Sequence, residues 1–98
     1  MGRMAVVPCD PESRGRYLSR KDIPQNYMGD FSLPGFIVDP FTDACALLMQ
    51  AGYHLEEMDG GADITVDSAH AIIAIQSLLS RGHVFCQFAD VADTIYQA

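Results

Sequence analysis

Three cysteines and three histidines are the side chains of this 98-residue chain that could bind a transition metal. The cysteines are far apart and form no C-x-x-C pair, and the histidines form no H-x-x-x-H pair, so no zinc-binding spacing is present. An odd number of cysteines without a secretory signal indicates reduced thiols. We therefore predict no metal site and no cofactor. The six residues are Cys9, Cys45, Cys86, His54, His70 and His83.

Nucleophilic catalysis needs a nucleophile, a base and an orienting group in contact. Cys9 is followed by Asp10, whose negative charge would raise the pKa of the thiol, so the residues do not favour an activated nucleophile. No serine lies in a nucleophile elbow, and no glycine-rich phosphate-binding motif is present. We therefore name no catalytic residue. A small enzyme stays open as a third class of function, with Asp39, His54 or His83 as acid–base groups.

The charges divide the chain into two parts. Residues 1–34 hold five basic and four acidic residues (+1), whereas residues 35–98 hold one basic and nine acidic residues (−8). An acidic body repels phosphate backbones, so no nucleic-acid partner is expected. The first part should instead be attracted to the second, in the same chain or in another copy. The carboxylates around the Gly60-Gly61 turn could bind a hard cation or a basic partner, or be solvated: Glu56, Glu57, Asp59, Asp63 and Asp67.

Residues 35–98 have the periodicity of strand, helix, strand, strand, helix and strand. In the first helix we expect Asp39 as the N-cap and Pro40 at the first helical position. Gly60-Gly61 is typical of a two-residue hairpin turn. The predicted strands are 35–38, 53–59, 62–67 and 84–89, and the predicted helices run from Pro40 to a cap at Gly52 and from Asp67-Ser68 to Gly82.

This order predicts an α+β fold, the ferredoxin-like βαββαβ plait, with a four-stranded antiparallel sheet and two helices on one face. Residues 1–34 hold four of the five prolines and no sustained period, so we expect an irregular N-terminal arm before a domain of residues 35–98. The bare sheet face or an edge strand must then be covered. We predict a homodimer through the sheet or its edge strand, with arm residues Tyr17, Tyr27 and Phe31 as partner contacts.

The stretch from Asp39 to Met58 has an acid and a proline after the first strand, a helix with paired leucines, then Ala51-Gly52 and the start of a strand. In these features residues 35–89 resemble an ACT domain. The resemblance implies a small regulatory module that pairs its sheet with another copy and binds an amino acid. It places the ligand at the loop after the first strand, here Asp39, Pro40, Phe41 and Thr42.

Two classes of function lead. The first is a small regulatory or ligand-binding domain that senses an amino acid or another small molecule, and the second is a protein–protein interaction adaptor with no small ligand. Phe41 separates the two, because a ring packed into the core leaves no pocket at its loop, whereas a ring at the rim of a cavity allows one. No apolar stretch approaches the ~20 residues that cross a bilayer. We therefore expect a cytoplasmic protein without a membrane partner.

Overall fold

The computed structural model of this chain describes residues 2–20 and 34–91, and five strands and three helices lie in these two ranges. The first range holds one strand and one helix, and the second holds the other six elements. In chain order they are β1 (Gly2–Pro8), α1 (Pro11–Arg20), β2 (Pro34–Asp39), α2 (Phe41–Gln50), β3 (Leu55–Met58), β4 (Gly61–Val66), α3 (Ala69–Arg81) and β5 (Phe85–Asp90).

All five strands form one mixed sheet in the order β3-β4-β1-β2-β5. β1 is parallel to β2 and antiparallel to β4, so that Val6 pairs with Phe36 on one side and with Ala62 on the other. β3 is antiparallel to β4, and β5 to β2. The α+β class is thus correct, but the four-stranded antiparallel plait is wrong. In that plait β2 and β4 would be neighbours, whereas here β1 lies between them.

The irregular N-terminal arm is also wrong for residues 2–20, which form the central strand and a helix. The side chains from Met4 to Val7 are all buried, because β1 has helices on both of its faces. Such a strand has a short continuous apolar run and no alternation. Pro8 ends the strand and Pro11 opens α1, the helical position at which a proline costs no hydrogen bond.

Two cores lie on opposite faces of the sheet. α2 and α3 share one face, as the sequence predicted, and pack Leu48, Ile75 and Leu79 against the strands. α1 covers the other face with Tyr17 and Leu18. The strand residues divide accordingly: Met4, Val6, Phe36, Val38, Ala62, Ile64 and Val66 face α2 and α3, and Ala5, Val7 and Ile37 belong to the α1 core.

The elements follow the predicted signals, but their boundaries shift by one or two residues: the strands predicted at 53–59, 62–67 and 84–89 are Leu55–Met58, Gly61–Val66 and Phe85–Asp90. The two-residue hairpin turn is Asp59-Gly60 and not the predicted Gly60-Gly61, because Gly61 already pairs with Met58. Ser68 caps α3, as predicted, by accepting a 3.3 Å hydrogen bond from the Ala71 N–H, and Gly82 follows its last turn. α2, however, starts one residue later than predicted, with Pro40 as the N-cap after a cis Asp39–Pro40 bond. Asp39 therefore ends β2 and does not cap the helix.

The β3–β4 turn is held against α1. Gly60 has φ +88°, and a Cβ placed there would stand 2.6 Å from the Tyr17 nitrogen and overlap the Ser13 carbonyl oxygen. Arg16 Nε also lies 3.2 Å from Asp59 Oδ1. Arg3 of β1 pairs at 2.8 Å with Glu56 of β3. The attraction expected between the basic and acidic parts thus acts within this chain. Within the ranges that the structure describes, no helix has the length and apolar character needed to span a membrane.

Candidate functional site

The parallel strands β1 and β2 end side by side, with Pro8 paired to Val38. The chain then enters α1 on one face of the sheet and α2 on the opposite face. Where the helices after two adjacent parallel strands diverge in this way, a crevice opens outside the carboxyl ends of the strands. The segments Cys9-Asp10 and Asp39-Pro40 lie at this edge, which we call the β1/β2 edge and define as residues 8–14 and 39–42.

Asp10 caps the first turn of α1. Its Oδ1 accepts a hydrogen bond from the Glu12 N–H (3.2 Å), and its Oδ2 accepts from the Ser13 N–H (3.3 Å) and the Ser13 hydroxyl (2.8 Å). The Ser13 hydroxyl first, and these N–H groups with it, lower the pKa of Asp10, because each bond favours the ionised form. The start of α1 thus already has its own anionic acceptor.

The start of α2 has no comparable side chain. Its N-cap is Pro40, which offers no side-chain acceptor, and its carbonyl oxygen accepts the Ala44 N–H at 3.1 Å. The first N–H groups of a helix have no partner within the helix, and they favour anionic acceptors. Of the two helix starts at the β1/β2 edge, only that of α2 therefore lacks a side-chain cap.

Arg14 is the buried cation of the β1/β2 edge. The residue is 9% exposed, and its Nη1 donates to the carbonyl oxygens of Cys9 (2.7 Å) and Pro8 (3.4 Å). Its Nε is buried and has no acceptor among the described residues, and no carboxylate of residues 2–20 or 34–91 forms an ion pair with it. An unsatisfied buried N–H costs about 1–3 kcal/mol, and an unpaired buried charge costs more. This arrangement is what a site for an anionic group requires.

The Cys9 thiol is exposed at this edge. Partial burial of the sulfur raises its pKa most, the negative charge of Asp39 raises it further, and the positive charge of Arg14 opposes both. The thiol therefore stays protonated at neutral pH and is not an activated nucleophile. The charges of Asp39 and Arg14 both act on Cys9, so the β1/β2 edge brings these three residues into one neighbourhood.

The predicted ligand loop lies at this edge, with Asp39, Pro40 and Thr42 exposed. Phe41 is half-buried and packs against the core under α2 and α3. A ring packed into the core was expected to leave no pocket at its loop, so Phe41 does not form the wall of a ligand pocket there. Any ligand at this edge would therefore lie toward β1 and α1.

The predicted partner contacts have a different outcome. Tyr17 is completely buried between α1 and the sheet, where its hydroxyl donates a 2.6 Å hydrogen bond to Asp63 Oδ1. Its expected role as a partner contact is wrong, because the ring belongs to the core of its own chain. Tyr27 and Phe31 lie outside the described residues.

Sequence reasoning missed Arg14. Positions 14, 17 and 18 are spaced as one face of a helix, and Tyr17 and Leu18 are apolar neighbours on that face. Asp10-Pro11 is the matching start signal. Together these signals indicate a helix with Arg14 on its sheet-facing side. They were not used, because residues 1–34 were predicted to be irregular.

Two other surfaces have features that could bind a partner or a ligand. An open depression of about 320 Å³ lies at the opposite end of the strands, where β1 begins and β4 ends. It is lined by Tyr53, His54, Thr65 and Asp67 with Ala51 and Gly52. Edge strand β5 exposes 53% of Phe85 and 37% of Phe88. No group of three or more His, Cys, Asp or Glu side chains in the described part of the chain could hold a metal ion.

No protein-family model, no curated protein and no solved structure matches this chain. The geometry of the β1/β2 edge and of β5 is therefore the basis on which a function can be proposed.

Proposed function

We propose that this protein is a small ligand-binding module with a regulatory role, and that its ligand binds at the β1/β2 edge. The observation that carries the proposal is the divergence of α1 and α2 from adjacent parallel strands, the topology at which open sheets bind their ligands. The uncapped start of α2 and the Nε–H of Arg14, which has no acceptor among the described residues, support it, because both offer hydrogen-bond donors there. An amino-acid ligand, as the resemblance to ACT domains implies, is one member of the proposed class.

A small-molecule screen followed by mapping tests this proposal. Thermal unfolding is measured with amino acids, organic acids, sugars and nucleotides, and a ligand at about 100 times its dissociation constant should add roughly 2.7 kcal/mol to the stability. Amide chemical shifts then locate each ligand. Shifts confined to residues 8–14 and 39–42 support the proposal. Shifts confined to the depression at Tyr53 and Thr65 would contradict it.

The alternative, a protein–protein interaction adaptor, is favoured by one specific observation. The two edges of the sheet differ: β3 is four residues long and contains Glu56 and Glu57, whereas β5 is six residues long and has no charged side chain before Asp90. Short or charged edges resist the addition of another strand, and long neutral ones permit it. No described strand pairs with the outer side of β5. A second copy of the chain, joined β5 to β5, would make the predicted homodimer.

Light scattering over a range of concentrations tests the adaptor proposal. A dimer that F85K converts to a monomer would support it, because Phe85 is exposed at the end of β5. I73K is the matched control, since Ile73 is 65% exposed but lies on α3 and not on the edge strand. A wild-type chain that stays monomeric at high concentration, or a dimer that both variants disrupt equally, would contradict the β5 interface.

A further inference from the structure

We propose that Arg14 binds a carboxylate group of a small molecule at the carboxyl end of β1. This inference rests on the ligand-binding function proposed above and names the chemical class of its ligand.

The hydrogen bonds of Arg14 fix which side of its guanidinium group is available. Nη1 is held by the carbonyl oxygens of Cys9 and Pro8, and Nε has no acceptor among the described residues. Nε and Nη2 form one edge of the planar group, and their parallel N–H bonds match the two oxygens of a carboxylate. The carbonyl groups of Pro8 and Cys9 therefore orient the guanidinium, and its Nε–H stays buried without an acceptor among the described residues.

The burial of Arg14 makes this contact selective. The residue is 9% exposed, so a group that pairs with Nε is itself largely removed from water. Charge-assisted hydrogen bonds are stronger in such surroundings, whereas a neutral ligand would leave the buried charge unpaired. The start of α2, at the same edge, adds a favourable field because Pro40 provides no side-chain cap.

The charges at the edge favour a carboxylate over a phosphate. Asp10 and Asp39 are both acidic, and Asp10 already occupies the start of α1. A phosphate dianion would meet these two charges and that of Glu12, three in all, with one buried cation to balance them. A carboxylate carries a single negative charge, and its planar shape fits one guanidinium. The ligand end that contacts Arg14 is thus a monoanionic carboxylate.

The Nε–H resonance of Arg14 in a ¹⁵N–¹H spectrum reports directly on this contact. The full chain is titrated with propionate, with propionamide as its uncharged analogue, and with inorganic phosphate, all at constant ionic strength. We expect a saturable shift of the Arg14 Nε–H with propionate, at least tenfold weaker binding of phosphate, and no shift with propionamide. This comparison needs no variant, so it stands even where a substitution impairs folding.

Two variants locate the response. R14K keeps the charge but lacks the planar fork, and it should bind propionate at least tenfold more weakly. R81M is the matched control, because Arg81 is exposed in the last turn of α3, outside the β1/β2 edge. It should bind propionate like the wild type.

The outcomes separate the two proposals. If propionamide shifts residues 8–14 and 39–42 as strongly as propionate does, a ligand site exists there but the carboxylate inference is wrong. The carboxylate inference is also wrong if phosphate binds more tightly than propionate, or if R14K binds propionate as the wild type does. If no compound in this titration or in the broader screen perturbs the β1/β2 edge, both the inference and the proposed function fail.

Discussion

The hydroxyl of Tyr17 donates a 2.6 Å hydrogen bond to Oδ1 of Asp63, and both side chains are buried between α1 and the sheet. The bond joins a helix residue to a β4 residue far along the chain. Arg3 adds a longer contact to the same carboxylate, with 3.9 Å between its Nη1 and Asp63 Oδ2. This pair fixes the position of the helix that carries Arg14.

Removing the Tyr17 hydroxyl should destabilise the fold. Y17F keeps the ring but deprives the buried Asp63 of a donor, and we expect a loss of about 1–3 kcal/mol in the free energy of unfolding by urea. The double variant Y17F/D63A should lose less than the sum of the two single variants, because it no longer leaves one partner unsatisfied. Strictly additive losses would show that the two residues are not coupled.

The stability of the fold should fall at alkaline pH because of the same pair. Burial first, and then the bond to Asp63, raise the pKa of Tyr17 above its ordinary value of 10.0. The unfolded chain ionises this tyrosine near pH 10 while the folded chain retains the proton, so the stabilisation is complete below pH 10 and decreases above it. The slope should approach about −1.4 kcal/mol per pH unit.

Urea unfolding between pH 8 and pH 11 measures this slope for the wild type and for Y17F. The variant has no hydroxyl at this position, so it should lose less stability over the alkaline range. Equal pH dependence in the two proteins would contradict the assignment to Tyr17.

Gly60 and Gly52 form a matched pair for testing the contact between the β3–β4 turn and α1. Both have positive φ, but a Cβ at Gly52 meets nothing within 4 Å, whereas at Gly60 it meets the backbone of α1. G52A should cost about 1–2 kcal/mol from backbone strain. G60A should cost about 1–3 kcal/mol more, because α1 must move. Equal losses, measured by thermal or urea unfolding, would mean that the turn does not pack on α1.

Alkylation rates should reveal the electrostatics of the β1/β2 edge. Iodoacetamide should label the exposed Cys9 first, while Cys45 reacts slowly because burial, with the charge of Glu57, raises its pKa to about 11. D39N removes a charge that raises the pKa of Cys9 and should speed the labelling. R14M removes the charge that lowers it and should slow the labelling.

Mass spectrometry of the labelled peptides measures these rates at pH 8. D43N provides the control, since Asp43 lies in the first turn of α2 and does not contribute to the pKa shift of Cys9. Unchanged rates in both D39N and R14M would show that these charges do not act on the thiol.

Deleting residues 2–8 should abolish folding, because β1 supplies both ladders at the centre of the sheet and side chains to both cores. Circular dichroism and amide spectra of the deletion variant should be those of an unfolded chain. R3A, which removes the exposed ion pair with Glu56 and the longer contact with Asp63, should stay folded and lose about 1 kcal/mol. A stable, folded deletion variant would support the predicted four-stranded plait instead.

The sequence predicted the elements of residues 35–91 well, because each has a local signal. Helix α2 has its apolar period, Ser68 caps α3, and the paired glycines indicate a hairpin whose turn lies one residue earlier, at Asp59-Gly60. The same approach failed for β1, whose short apolar run lacks the alternation of a half-buried strand. α1 was missed because Arg14, Gly15 and Arg16 weaken its apolar period.

The site was predicted only in part. Asp39 and Pro40 were predicted to belong to a ligand-binding loop after a strand, and they do lie at the β1/β2 edge. Which strand lies beside it could not be inferred from residues 35–42, because parallel pairing joins segments that are distant in the chain. Without β1 as a neighbour of β2, nothing connected Asp39 with Cys9 or Arg14.

The central position of β1 in the sheet also affects how the chain folds during its synthesis on the ribosome. Val6 leaves the exit tunnel long before Ala62, its partner in β4, and translation at about 5–20 residues per second separates them by several seconds. Throughout that interval the apolar run from Met4 to Val7 is exposed to other nascent chains. Its protection then depends on α1, the next segment to emerge, or on a chaperone.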